Sequence, residues 1–272
     1  MRPEPRRPRS RSFRDASRRR SGCFTSPVPT LHLTFDDGPH ETFTPAILDV
    51  LAAHDARATF FQAGRLIELR PHLTKRMRDA GHGIGSHAWS HTDLASLDDD
   101  QLDDELSRTS VIIEETTGRA PTLLRPPFGS PFWMTDTAGH PRQEAVRSRA
   151  EALGMKTIIW DIAPEDWNRP GRAAIAERVL RDQGILAGRS GLVVLLHDGE
   201  CADEAENVAG IETILSTLGE RGYTFEPIPE TYAGSALADR FMPPAATRGD
   251  TATTPRTGCG SRPTGIRRDS TR

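Results

Sequence analysis

The chain lacks the ~18 consecutive apolar residues that a membrane-crossing helix needs. It is also poor in cysteine. Cys23, Cys201 and Cys259 are odd in number and form no CxxC pair, which excludes a cysteine-built zinc site and a disulfide framework. Residues 1–26 lack the apolar h-region of a signal peptide, and residues 243–272 have almost no large apolar side chains to bury. Both tails read as disordered. The first is Arg/Pro/Ser-rich: residues 1–20 hold nine Arg against Glu4 and Asp15, a charge of +7. Disorder without a role is the reading preferred to an arm for nucleic acid or anionic lipid. Net charge over the whole chain is −3, so the remainder carries −10. That excess argues against nucleic acid as the partner of the folded part. No internal repeat is visible.

Residues 27–242 remain, enough for one sizeable core. Short apolar runs alternate there with helical patterns. Strands are expected at Leu31–Phe35, Ala58–Phe61, Gly83–Gly85, Leu123–Arg125, Lys156–Asp161, Leu192–His197 and Thr224–Pro227. Helices are expected after Thr44-Pro45, over Asp98–Thr117, over Arg172–Gln183 and over Glu204–Arg221. Such alternation means parallel strands joined by crossover helices. About seven strands predict an α/β fold of the distorted (β/α) TIM-like barrel type, in a single domain, with an open doubly wound sheet as the alternative. The long stretch Ser130–Arg142 holds Phe132, Trp133 and Met134, which either line a groove or cover a barrel rim.

Chemistry gathers where the strands should end. Thr34-Phe35-Asp36-Asp37-Gly38-Pro39 closes the first run with two adjacent carboxylates before a turn signal. Burying both costs several kcal/mol unless a positive charge sits beside them. A metal ion would supply that charge, binding one Asp and leaving the other free to take a proton; a capped turn is the alternative reading of the segment alone. His87 and His91, four apart, follow the third run. Two imidazoles and one carboxylate make a three-ligand set with positions open for water and substrate. Arg125-Pro126-Pro127-Phe128-Gly129 is a rigid turn that can aim a guanidinium at a carboxylate. Asp166 can pair with Arg125 and Trp167 can offer an apolar wall to a sugar, an exposed acidic loop being the alternative, and His197 ends the sixth run. In a parallel barrel, the carboxyl ends of the strands share one face.

Together these residues resemble the polysaccharide deacetylases of the NodB-homology, carbohydrate esterase family 4 type. The resemblance runs from about Leu31 to Tyr232. Its five motifs occur in order: TFDDGP at Thr34–Pro39, HxxxH at His87–His91, RPPFG at Arg125–Gly129, the DxxDW-like segment ending at Trp167, and LLH at Leu195–His197. The resemblance implies a distorted (β/α) barrel and metal-dependent removal of N-acetyl groups from N-acetylglucosamine residues of peptidoglycan or a chitin-like polysaccharide. An O-acetyl esterase acting on xylan and a non-catalytic carbohydrate-binding protein are the alternatives.

Carried over by motif, Asp36 is the general base and His197 the general acid. Asp37, His87 and His91 hold a divalent metal, Zn²⁺ or Co²⁺. Arg125 orients the base with Asp166 behind it, and the Phe128 backbone N–H helps to hold the oxyanion. Trp167 and Leu195 line the groove and the acetyl pocket. Three departures bear on the site: Ala88 replaces a loop-stabilising Ser or Thr, Phe128 replaces a frequent Tyr whose role uses only the backbone, and Ala163 replaces the first Asp of DxxDW. A monomer is the expected state. The resemblance implies an extracellular or cell-wall location, whereas the sequence as given carries no export signal.

Overall fold

The computed structural model describes residues 28–132, 141–199 and 203–232. The tails, the three cysteines, Trp133 and Met134 lie outside the described residues, as do the expected domain limits at 27 and 242. Seven strands form one parallel sheet: β1 (Thr30–Asp36), β2 (Thr59–Gln62), β3 (Gly83–Ser86), β4 (Leu123–Leu124), β5 (Lys156–Thr157), β6 (Leu192–His197) and β7 (Thr224–Phe225). Their order is β5-β4-β3-β2-β1-β6, and β7 pairs with the start of β1. A doubly wound sheet would reverse its order near the middle; here five strands run in one direction from β1. The expected strand Lys156–Asp161 keeps a regular ladder only at its first two residues. The chain then crosses towards β6, where Ile162 makes a parallel bridge to Val194, Asp161 N–H donates to the Val193 carbonyl and Leu195 N–H to the Ile162 carbonyl. The ladder is thus incomplete at this point, and single hydrogen bonds carry the chain from β4 across to β6.

Period-two alternation decides which side chains enter the barrel. Leu31, Leu33 and Phe35 of β1 face outward with Leu192, Val194 and Leu196 of β6, in a core shared with α1 (Phe43–Ala53), α6 (Arg172–Leu180) and α8 (Glu204–Glu220). The intervening Val193 and Leu195 join Phe61, Leu123, Ile158 and Trp160 in a second apolar cluster. Asp36 and His197 share this inward parity, and they are register partners.

The expected helices have clear local causes. In α4 (Asp99–Thr117), Asp98 and Gln101 form a capping box, and Gly118 ends the helix at φ 77°. The stripe Ile211, Ile214, Leu215 and Leu218 of α8 is buried. The expected helix Arg172–Gln183 stops at Leu180, as α6, and a separate short helix, α7 (Gln183–Leu186), begins at its last expected residue. Asp182 turns out of helical geometry between them, and its side chain accepts from Gly184 N–H. Three further helices had no sequence expectation: α2 (Gly64–Leu69), α3 (Pro71–Asp79) and α5 (Pro141–Ala152). Pro71 splits the first two into lengths too short for a periodic signal. In α5, only Val146 and Ala150 are fully apolar and buried, and Arg149 instead pairs with Asp99 and Asp103 of α4. Among the described residues, no helix is long and apolar enough to cross a membrane.

The foot of the barrel contains a buried titratable group. His82 Nδ1 accepts a hydrogen bond from Ala58 N–H at 3.1 Å, and the ring sits edge-on to Phe60. Burial, helped by the Arg57 charge, pushes the His82 imidazole down to about 4. A lowered base takes its proton first in the unfolded chain. Its stabilising share is therefore complete above the ordinary imidazole value and is lost as pH falls from 6.5 towards 4. The loss should reach at most ~3 kcal/mol. Urea midpoints at pH 7.5 and pH 4.5 should diverge less in His82→Gln than in the wild type; an equal loss in both would clear His82 of the effect.

Candidate active site

The site is built at the carboxyl ends of β1, β3, β4 and β6 and on the segment that follows β5. The DDGP turn begins inside the barrel with Asp36 and leaves it at Asp37, whose φ is 74°. Asp tolerates this left-handed geometry better than bulky residues do. Ala88, His91 and Phe128 also take positive φ, at 60°, 62° and 60°. Left-handed non-glycine residues cost of order 1–3 kcal/mol each and gather where a site dictates the backbone. Gly38 is required for a different reason. A Cβ there would lie 2.3 Å from both carboxylate oxygens of buried Asp198.

Asp37 Oδ1 lies 3.1 Å from His87 Nε2 and 2.9 Å from His91 Nε2. One ligand atom from each of the three residues falls within 4.8 Å of the others. His87 Nδ1 is 2.7 Å from the Arg125 carbonyl, so that nitrogen carries a proton, and Nε2 is the nitrogen that faces Asp37 and would offer its lone pair to a bound metal. Burial by itself would raise the Asp37 carboxyl. The hydrogen bonds from His87 and His91, with the charges of His197 and His91, hold it well below the usual carboxylate range. Burial opposes charge on His87, yet Asp36 and Asp37 draw that ring upward. The triad thus competes for positive charge. Two imidazole nitrogens and one carboxylate oxygen converging in this way fit a divalent metal by donor type, number and spacing.

Arg125 is fully buried between the Phe61 ring, 4.2 Å from its guanidinium carbon, and the more distant Trp160 ring. Its Nη1 donates to Asp36 Oδ1 at 2.8 Å and to Thr34 Oγ1 at 2.7 Å, and its Nη2 donates to the Ile159 carbonyl. One oxygen of Asp36 is therefore restrained; the other, Oδ2, lies 3.9 Å from His87 Nε2.

The expected pairing of Asp166 with Arg125 is corrected. Asp166 Oδ1 accepts from His197 Nδ1 at 2.8 Å, and Oδ2 accepts from both His197 N–H and Asn207 Nδ2, each at 2.8 Å. The left-handed Glu165 and Arg169 on either side turn this segment inward to β6 rather than to β4. Burial disfavours a charged His197, but the Asp166 carboxylate and its hydrogen bond, followed by the Asp37 and Asp36 charges, raise the ring to about 9. Trp167 stands edge-on to His197 at 5.2 Å. Leu195 is buried one inward position below His197. Phe128 exposes its ring and sets it edge-on to His91 at 4.7 Å. Ala163 packs against the inner apolar cluster.

Sequence reading missed three participants. Thr34, inside the first motif, shares Arg125 with Asp36. Asn207 supplies from α8 a hydrogen bond to Asp166, and nothing in its own neighbourhood marks it. Asp198 follows His197 directly; burial first of all, against the hydrogen bond from Thr44 Oγ1, raises its carboxyl to about 7.

A model of the polysaccharide deacetylase family matches residues 25–158. A peptidoglycan-N-acetylglucosamine deacetylase of Listeria monocytogenes is 32% identical over 200 residues, covering 74% of this chain but only 38% of that protein. The chain thus spans less than two fifths of that relative's length. A chitooligosaccharide deacetylase of Sinorhizobium fredii is 32% identical and is covered over 93% of its length by 75% of this chain. Among solved structures, a family 4 carbohydrate esterase from Streptomyces lividans, in complex with acetate, is 32% identical with a TM-score of 0.63, over 74% of this chain and 94% of that one.

Proposed function

This chain belongs to the polysaccharide deacetylase family, and from that membership we propose that it hydrolyses N-acetyl groups of N-acetylglucosamine residues in a peptidoglycan or chitin-like polysaccharide, releasing acetate. The observation that carries the reading is the placement of Asp36 and His197. They are register partners on adjacent strands, each held by its own ion pair, with the Asp37, His87 and His91 triad beside them. One partner can accept a proton and the other can donate one across the same small volume.

Asp37, His87 and His91 would hold a divalent metal, Zn²⁺ ahead of Co²⁺, which when bound supplies Lewis-acid polarisation of water and of the acetyl carbonyl. Asp36 then has the role of general base. Its Oδ1 is committed to Arg125, so Oδ2 takes the proton of the attacking water. The new bond joins the water oxygen to the carbonyl carbon, and the Phe128 backbone N–H is assigned to the developing oxyanion. A correctly placed donor of this kind is worth ~3–4 kcal/mol. His197, charged and aimed by Asp166, gives its proton to the nitrogen as the C–N bond breaks. The products are acetate and a free amino sugar. Trp167 and Leu195 are assigned to the sugar face and the acetyl methyl group.

The test is acetate release by the full chain from N-acetylchitooligosaccharides and from peptidoglycan, after chelation and after Zn²⁺ or Co²⁺ is restored. Chelation should abolish release and either ion should recover it on at least one glycan. Acetate from acetylxylan alone would overturn the amide reading and leave the residue roles standing. No acetate from any of the three, with metal bound, would overturn both.

A further inference from the structure

The three residues between His87 and His91 have little regular structure, yet both imidazoles must reach Asp37 Oδ1. The carbonyls of this loop are tied to the start of α2: Gly64 N–H donates to Ala88 O and Arg65 N–H to Trp89 O. Two of its N–H groups turn the other way, to one side chain, while Ala88 N–H donates to Ser86 Oγ at 3.4 Å. Trp89 N–H and Ser90 N–H both donate to Glu105 Oε2 at 2.8 Å, and Ser90 Oγ donates to Glu105 Oε1 at 2.6 Å. Ser90 Oγ also lies 2.7 Å from Thr92 Oγ1. The position where a hydroxyl was expected, Ala88, is buried among Leu94, Leu102 and Leu106, so the loop takes its support from α4 instead.

We propose that Glu105 is a positioning residue for the metal triad: its carboxylate holds the left-handed His87–His91 loop and so fixes how the two imidazoles converge on Asp37. Three charge-assisted bonds on one carboxylate offset the strain of positive φ at Ala88 and His91. Buried Leu102 and Leu106 anchor α4 on either side of Glu105. Glu105 acts through backbone and Ser90 contacts and touches neither Asp36 nor His197. The inference rests on the metal reading of Asp37, His87 and His91.

Zn²⁺ affinity, measured by chelator competition on the full chain, provides the test. Glu105→Ala removes all three acceptor contacts, and Glu105→Asp is one methylene short of both amides. Each should weaken Zn²⁺ binding about 10–100-fold, the range for groups that orient metal ligands. Glu105→Gln keeps an oxygen for the two N–H donors and should recover most of the loss. The visible absorption of the Co²⁺-loaded Ala and Asp variants should change in shape, while KM at saturating metal stays unchanged. Ile214→Val, a core change in α8, is the control: it lowers Tm and leaves Zn²⁺ affinity intact. If Glu105→Ala does not fold, Glu105→Asp carries the test. Ala and Asp variants that bind Zn²⁺ within twofold of the wild type would overturn this inference alone. A wild-type chain that binds no Zn²⁺ would overturn the metal reading as well.

Discussion

Asp36→Asn is expected to lower turnover about 10²–10⁴-fold, the usual share of a positioned general base, while metal affinity stays within a few-fold. The side chain is isosteric, and its carboxamide oxygen can still accept from Arg125 Nη1, as Asp36 Oδ1 does at 2.8 Å. What is lost is the capacity of the second oxygen to take a proton. The candidate metal donors are Asp37, His87 and His91, none of which is altered, so binding and turnover should separate. Stability should move too. Arg125 is fully buried and would lose its only ion pair among the described residues. Removing one member of a buried pair costs ~3–5 kcal/mol; the retained hydrogen bonds to Thr34 and Ile159 place the loss at the lower end. The measurements are kcat, Zn²⁺ stoichiometry and the urea midpoint on one preparation. Turnover within tenfold of the wild type would remove Asp36 from the base role. Loss of metal together with turnover would reassign it to the ligand set.

Strand parity and strand ends were the parts of this site legible in the sequence. Alternation in Leu31-His32-Leu33-Thr34-Phe35-Asp36 fixes which side of β1 Asp36 takes, and the strand-ending positions of Asp36, Arg125 and His197 place them on one face. His87 and His91 were legible as a pair because they stand four apart, with only three residues between them. The Asp166 pairing was not legible. Its loop runs through left-handed Glu165 and Arg169, and no local propensity of these residues announces the direction in which the carboxylate emerges. Asn207 and Glu105 were invisible for a related reason. Each is a polar residue on an amphipathic helix, where most polar residues face solvent, and only tertiary packing turns these two towards a loop. The same limit explains α5, which leans on Arg149 pairing with Asp99 and Asp103 and shows little apolar periodicity.

Because Asp166 faces His197, its substitution should affect the proposed acid and leave the proposed base alone. Asp166→Asn is expected to cut kcat about 10²–10⁴-fold. The wild-type carboxylate accepts from His197 Nδ1, His197 N–H and Asn207 Nδ2. A carboxamide offers one acceptor oxygen and an NH₂ group that meets donors, so the ring loses both its orientation and its charge partner. The pH profile separates this from simple misfolding. In the wild type the ring is raised to about 9, with Asp166 the leading cause that favours the charged form. A general acid must be protonated, so activity should fall on the alkaline side near that value. Without the Asp166 charge the imidazolium is less stable, its pKa falls towards the ordinary 6.5, and the alkaline limb should move to lower pH. The deficit should accordingly be larger at pH 8.5 than at pH 6. Linkage has the same sign: a raised folded pKa contributes stability that is complete below 6.5 and is lost as pH rises through about 9. Wild-type stability should therefore decline across that window more than the variant's. An alkaline limb that stays in place in Asp166→Asn would show that another group sets it, and His197 would then lose the acid role that its place opposite Asp36 suggests.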